Sequence, residues 1–220
     1  MNNKQGFTLL EMLLALSVLS VGIMSAFTLA MANLNTARDN YERIRAANLA
    51  REGIEIARNI RDTNWLKIEA NEDCDTVSAG TQICDWDADL WERGTENGTS
   101  TVAYNDTEPN FLDTNIEDCF DDSSCRLYED DYVGDDRGFY DHNIGGTGTA
   151  TNMARLINVK AICMDGHLQP TFRTDFDCTG APDLKMGVLV TSMVYWETSG
   201  QSHQVEITEE LYNWRSYVDT

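Results

Sequence analysis

Proline and histidine are scarce in this chain of 220 residues, and each scarcity has a consequence. Only three prolines occur, and the first is Pro109, so no proline interrupts a helix before that position. The three histidines, His142, His167 and His203, are scattered, and the chain has no phosphate-binding loop and no Gly-x-Ser-x-Gly motif. The sequence therefore favours a protein that is not an enzyme. An enzyme would need these histidines to converge with carboxylates.

Basic residues are also few. The chain has 16 Lys and Arg residues against 37 Asp and Glu residues, a net charge of -21, and residues 68–150 alone carry -19. Such a surface repels phosphate backbones, so no nucleic-acid partner is expected.

Cysteine is absent from the first 70 residues, and no two cysteines have Cys-x-x-Cys spacing. An even count without zinc-ligand spacing favours disulfides and an oxidising, extracytoplasmic location. The sequence alone does not choose among the connectivities. We favour the local set, since each pair closes a short polar loop: Cys74 with Cys84, Cys119 with Cys125, and Cys163 with Cys178.

One apolar run dominates the amino-terminal region. It extends from Phe7 to Ala32, 26 residues with Glu11 as the only charge, and is long enough to cross a bilayer as a helix. Two ordinary interpretations are open. One is a signal peptide cleaved after Ala32, at the end of an Ala-x-Ala site. The other is a plain membrane anchor, in which a buried acidic side chain would cost about 2.5–3.5 kcal/mol.

The residues Gly6-Phe7-Thr8-Leu9-Leu10-Glu11 resemble the prepilin peptidase site of type IV pilins and type II secretion pseudopilins. The resemblance implies cleavage after Gly6, N-methylation of Phe7, and a role for Glu11 in assembly. Phe7 and Glu11 are one helical turn apart, so a new amine and a carboxylate could pair between subunits and fix their axial register. Major pilins commonly have a proline in this helix where Thr28 stands, so the chain is more similar to minor pilins.

The chain divides into five predicted segments. They are a leader at 1–6, a transmembrane and filament-core helix at 7–32, its amphipathic continuation at 33–67, an acidic cysteine-containing variable region at 68–150, and an antiparallel sheet at 151–220. The helix is expected to run from Phe7 to about Trp65, and the acidic region to hold short helices and turns. The strands are expected at 156–163, 187–197 and 205–211, with Val188, Val190, Val194 and Trp196 on one face. The predicted fold is α+β and pilin-like, a long helix packed on the sheet, with the acidic region as a disulfide-stapled insertion.

The acidic region contains one candidate calcium site. Asp85, Asp87, Asp89 and Glu96 stand at positions 1, 3, 5 and 12 of a calcium-loop pattern, but Leu90 occupies the position that needs Gly. A looser site formed by these residues, or by the cluster Asp130, Asp131, Asp135 and Asp136, is the alternative to a solvated acidic surface.

The sequence thus predicts a minor pilin or pseudopilin, a structural subunit held in the cytoplasmic membrane with its head outside until it enters a filament. Its partners would be prepilin peptidase, other subunits and the membrane. No cofactor is expected, and calcium is the one candidate considered. The alternative function is a secreted or membrane-anchored extracellular binding domain with an ordinary signal peptide.

Overall fold

The structure is a computed structural model that forms two compact units, Met1–Ile44 and Arg45–Thr220. It describes residues 8–70, 86–90, 98–103, 109–121, 123–129, 139–142, 148–164, 170–172, 178, 184–198 and 200–213. Several residues discussed above lie outside these ranges: Gly6, Phe7, Cys74, Cys84, Asp85, Glu96, Asp130, Asp131, Asp135, Asp136 and His167.

Helix α1 extends without interruption from Leu9 to Ala70. The predicted helix is confirmed, and it ends a few residues later than expected because residues 66–70 contain neither Pro nor Gly. Thr8 caps its first turn, since the backbone N–H of Glu11 lies 3.3 Å from Thr8 Oγ1 and 3.1 Å from the Thr8 carbonyl oxygen.

The sheet is antiparallel and is organised around one long strand, β5. Its strands are β1 (Thr99–Thr101), β2 (Asn110–Phe111), β3 (Arg126–Glu129), β4 (Tyr140–Asp141), β5 (Thr149–Met164), β6 (Pro170–Phe172), β7 (Leu184–Thr198) and β8 (Gln201–Tyr212). Along one edge β5 pairs with β7, and β7 pairs with β8. Its other edge is shared by β3, β1 and β6.

The three predicted strands are confirmed as β5, β7 and β8, each longer than expected. The prediction for the acidic region was incomplete, because it holds four short strands that extend the sheet as well as turns and the helix α2 (Ile116–Asp121). Strands of two to four residues are too short to show the alternation by which a strand is recognised.

The carboxy-terminal part of α1 packs on one face of the sheet. Two clusters of buried residues join them, one containing Ile54, Ile60, Val188 and Val190, the other Leu49, Val194 and Trp196. The predicted shared face of β7 is therefore confirmed.

Gly53 permits the close approach of α1 to the sheet. A Cβ atom at this position would lie 2.6 Å from Ser192 Oγ and 2.7 Å from Ile157 Cδ1, so no larger residue fits without movement of these neighbours.

The opposite face of the sheet is covered by α2 and the turn that follows it. Phe120 contacts Tyr195 at a ring-centroid distance of 5.1 Å, and Cys119 and Cys125 are fully buried beside Leu156. Part of the acidic region thus belongs to the core of the unit Arg45–Thr220, which is called the head below.

Two of the three favoured disulfides are present, Cys119–Cys125 and Cys163–Cys178. The third favoured pair lies outside the described residues. In the turn between β7 and β8, Gly200 has a φ of 76°, a left-handed conformation that glycine adopts at no steric cost.

Candidate functional site

The first turn of α1 contains the charged residue Glu11. Glu11 is exposed in the first turn of the helix, where a negative charge interacts favourably with the helix dipole. Among the described residues, no side chain forms a hydrogen bond or ion pair with its carboxylate. Leu14, one turn further along the same side of the helix, is apolar and 61% exposed. A lone carboxylate therefore stands in an apolar exposed surface.

The apolar half of α1 is long and hydrophobic enough to cross a bilayer, and its most apolar stretch is entirely exposed in the chain itself. The hydroxyl groups in this stretch are satisfied within the helix. Ser17 donates to the Leu14 carbonyl at 2.8 Å and Ser25 to the Val21 carbonyl at 2.9 Å. These serines can therefore lie in lipid without an unsatisfied donor.

Thr28 has the same arrangement, because its hydroxyl donates to the Met24 carbonyl at 2.9 Å. The helix continues through this position. A proline here would remove a backbone donor and clash with the preceding turn, so Thr28 is compatible with the uninterrupted helix.

One face of the apolar half carries small residues in line with Glu11. At about 100° per residue, Ala15, Gly22 and Ala26 lie on the same side of the helix as Glu11, together with the larger Val18 and Leu29. Nothing lies within 4 Å of a Cβ built at Gly22. Small residues allow another helix to approach the backbone closely, so this side is suited to helix contacts that bring a neighbour to Glu11.

The head unit begins with an anchored arginine. Arg45 donates to the Tyr140 hydroxyl at 2.9 Å, lies over the Tyr140 ring, and forms an ion pair with Glu129 at 3.4 Å. These contacts join α1 to β3 and β4. Sequence analysis missed them because the partner residues are more than 80 positions away.

The most unusual buried group of the head is Arg155, which is 0% exposed on β5. It donates to the Leu49 carbonyl on α1 at 3.1 Å and to the Val102 carbonyl at 2.6 Å, and it lies 3.4 Å from Glu52. A buried cation is tolerated only when it is paired and hydrogen-bonded, so Arg155 fixes three segments of the chain relative to one another.

His142 lies beside this arginine with both ring nitrogens buried and without a well-formed hydrogen bond. Burial and the positive charge of Arg155 lower its pKa to about 3, against the raising effect of nearby backbone carbonyl groups. His203 instead stacks on Trp196 at 5.3 Å. These two histidines share no partner among the described residues, and the third lies outside them.

The calcium candidates are only partly described. Asp87 is buried and its carboxylate forms an ion pair with Lys185, while Asp89 has a φ of 65° in the same short turn. The Asn64 side chain donates to the Ala88 carbonyl and holds this turn against α1. Within the described ranges no group of three or more acidic, histidine or cysteine residues is placed to bind a metal. The calcium site stays a prediction.

Comparison with protein families gives a match at the amino terminus. Residues 1–27 match the family model described as the prokaryotic N-terminal methylation motif. Neither the curated proteins nor the solved structures yield a match to this chain.

Proposed function

Because residues 1–27 carry the amino-terminal signature of type IV pilins and pseudopilins, we propose that this chain is a minor pilin or pseudopilin, cleaved after Gly6 and built into a filament. The observation that carries the proposal is the combination of that motif with an apolar helix that begins at Leu9, close behind the proposed cleavage site. The fold is the α+β fold expected of such a subunit, a long helix packed on an antiparallel sheet.

Glu11 is the proposed assembly residue. It has no partner among the described residues of its own chain, and an isolated carboxylate is costly in an apolar environment. The methylated amine of Phe7 on a neighbouring subunit would supply the compensating charge. The pair would then set the axial register of one helix against the next.

Two properties support a minor rather than a major subunit. The helix has Thr28 in place of the proline common in major pilins, and it runs uninterrupted. In addition, a head-bearing chain with a net charge of -21 would repel identical copies in a dense array. Sparse insertion among other subunits avoids this repulsion.

The processing site is tested by the intact mass and first residue of the mature protein from a host with prepilin peptidase. Cleavage after Gly6 leaves 214 of the 220 residues, starting with methylated Phe7, whereas an ordinary signal peptide cleaved after Ala32 leaves 188, starting with Asn33. Gly6→Ala is expected to block the first product. A mature chain that begins at Asn33 would favour a secreted or anchored binding domain instead.

The role of Glu11 is tested by Glu11→Ala, with Leu10→Ala as the matched control at an exposed neighbouring position. Loss of one partner of a buried charge pair costs about 3–5 kcal/mol. We therefore expect a normally processed subunit whose incorporation into filaments falls more than tenfold, measured by immunoblotting of sheared filaments against whole cells. Equal incorporation of the two variants would contradict the proposed role.

A further inference from the structure

Strand β8 is an edge strand of the sheet. It extends from Gln201 to Tyr212, 12 residues, and pairs with β7 in one continuous register over its whole length. Among the described strands, none pairs with its other side. The other strands that pair on one side only, β2, β4 and β6, have two or three residues each. The outer side of β8 is therefore the long open margin of the described sheet.

The hydrogen-bond pattern shows which backbone groups of β8 lie on this margin. The N–H of Asn213 donates to the Met186 carbonyl at 2.8 Å, just beyond the last pair of β7 with β8. In an antiparallel ladder, residues bonded to the neighbouring strand alternate with residues whose N–H and C=O point the other way. The odd-numbered residues of β8 therefore bond to β7, and the even-numbered ones point away from it. The central even-numbered residues, called the β8 edge below, are Gln204, Glu206, Thr208 and Glu210.

The usual protection of an edge strand is missing from β8. Natural proteins protect such strands with lysine, with proline or with a β-bulge. The sequence of β8 contains no Lys, Arg or Pro, and its pairing with β7 has no shift of register. A long row of N–H and C=O groups without this protection is a template for an added strand.

The side chains of β8 define which kind of strand fits. Those of the β8 edge are exposed on the sheet face opposite α1. Val205 and Ile207 point to the α1 side, where they pack beside the buried clusters and stay only half-buried. A strand added along β8 would place its own side chains beside both rows, since residues paired across two strands share a face.

Two glutamates of the β8 edge lack a compensating charge. Among the ion pairs between described residues, none involves Glu206 or Glu210. Glu209, on the other face, is paired with Arg58. Opposite charges directly across two strands stabilise their pairing, and like charges weaken it. The β8 edge therefore complements a strand with lysine or arginine at alternate positions.

We propose that the β8 edge binds an extended strand of another protein, in which basic residues alternate with apolar ones. The basic side chains lie opposite Glu206 and Glu210, and the apolar side chains cover Val205 and Ile207 on the other face. Main-chain hydrogen bonds supply the affinity, and the alternating side chains supply the specificity. The inference goes beyond the proposed function and requires neither cleavage after Gly6 nor filament assembly.

Charge disfavours a second copy of this chain as the occupant. Antiparallel pairing of two β8 strands about Thr208 would set Glu206 of each copy opposite Glu210 of the other. Like charges directly opposite each other are destabilising, and each chain has a net charge of -21. A basic strand from another protein avoids both kinds of repulsion.

The test measures the binding of fluorescent peptides to the full-length chain in detergent, by fluorescence anisotropy. The probe is the capped peptide Lys-Val-Lys-Val-Lys-Val-Lys-Val-Lys, and the matched control has the same residues in blocks, Lys-Lys-Lys-Lys-Lys-Val-Val-Val-Val. Both have the same charge, so an acidic surface attracts them equally. We expect the alternating peptide to bind several-fold more tightly, because only this peptide separates basic and apolar side chains onto two faces. Equal binding would overturn the proposal.

Methylation of the peptide backbone tests the main-chain bonds. In the proposed pairing the Lys residues lie opposite the glutamates, so their N–H groups face β8 and those of the Val residues face away. N-methylation of interior Lys residues should abolish binding, whereas N-methylation of the same number of Val residues should leave most of it. Equal losses from the two peptides would contradict pairing along this edge.

Variants of the chain locate the binding at the β8 edge. Thr208→Pro removes an N–H that points away from β7 and should abolish binding, while Thr208→Val keeps this N–H and should leave binding unchanged. Glu206→Lys together with Glu210→Lys should reverse the preference, so that an alternating Glu-Val peptide binds more tightly than the Lys-Val peptide. Destabilisation of the head alone would not produce this reversal. An unreversed preference, or a wild-type dimer in sedimentation that Thr208→Pro abolishes, would overturn the proposal.

Discussion

At the scale of single residues, Gly53 decides how closely α1 lies on the sheet. Alanine in place of glycine within a helix ordinarily gains about 1 kcal/mol. At Gly53 the added Cβ would overlap Ser192 Oγ and Ile157 Cδ1, and overpacking of this kind costs about 1–3 kcal/mol.

We therefore expect Gly53→Ala to lower the free energy of unfolding by about 1–2 kcal/mol, measured by urea denaturation in detergent. Gly22→Ala is the control, because nothing lies within 4 Å of a Cβ at that position. A stabilised Gly53→Ala variant would show that the helix and sheet have room to move apart.

His142 makes the stability of the head depend on pH. Its pKa in the folded chain, about 3, lies below the ordinary value of 6.5, because burial and the charge of Arg155 oppose protonation. Below pH 6.5 the unfolded chain binds a proton that the folded chain does not. The contribution of His142 to the free energy of unfolding is therefore fully present above pH 6.5. It declines as the pH falls toward 3, by at most about 1.4 kcal/mol per pH unit.

The measurement compares urea unfolding of the wild type and of His142→Gln from about pH 7 to about pH 5, a range that includes the ordinary histidine pKa. The variant should lack this part of the decline, while His203→Gln, altered at the histidine stacked on Trp196, should retain it. Parallel pH profiles of wild type and His142→Gln would contradict the assignment.

At the scale of elements, Arg155 connects α1, β5 and the segment after β1 through its hydrogen bonds. Removal of one partner of a buried charge pair costs about 3–5 kcal/mol, and Arg155 also donates to two carbonyl groups. We expect Arg155→Met to destabilise the head by about that amount in thermal or urea unfolding. Because this change leaves Glu52 uncompensated, Arg155→Met with Glu52→Gln should recover part of the loss. Arg51→Met, an exposed change on the same helix, should have little effect.

The sequence predicted the long elements and their faces well. Long periodic segments such as α1, β5, β7 and β8 carry a pattern that local chemistry alone produces. The burial of Arg155 was not predicted, because an arginine in a strand is expected to be exposed until its partners at Leu49 and Val102 are known. The short strands β1 to β4 were missed because their pairing depends on β5, which follows them in the chain.

The candidate site was predictable in its motif and less so in its surroundings. Glu11 stands out because it is the only charge in an apolar run, a signal visible in the sequence itself. Leu34, Tyr41 and Ile44 were visible as part of an amphipathic pattern, but only the structure shows that these side chains are exposed among the described residues.

At the scale of the whole molecule, net charge is the dominant electrostatic property. A charge of -21 makes the folded chain repel itself, and salt screens that repulsion. We expect the free energy of unfolding in urea to rise by about 1 kcal/mol between low and physiological NaCl, comparable to one favourable surface ion pair. A fall would mean that pairs such as Arg58–Glu209 outweigh the repulsion.

Calcium chloride at the same ionic strength is the matched condition for the cation site. Stabilisation beyond that given by NaCl would support calcium binding by the acidic region, since only a ligand of the folded state adds free energy through mass action. Identical melting in the two salts would remove the calcium hypothesis.

The wide separation of packing partners along the chain has a consequence for biogenesis. Arg155 bonds to a helix residue 106 positions earlier, and Glu209 pairs with an arginine 151 positions earlier. Because synthesis runs from the amino terminus, the apolar face of α1 emerges long before β5, β7 and β8 exist to cover it. Contacts of such long range form slowly and leave aggregation-prone surface exposed in the meantime. Folding of the head must therefore be completed after translation of its last strand, and premature release from the ribosome or translocation machinery would yield a helix without a sheet.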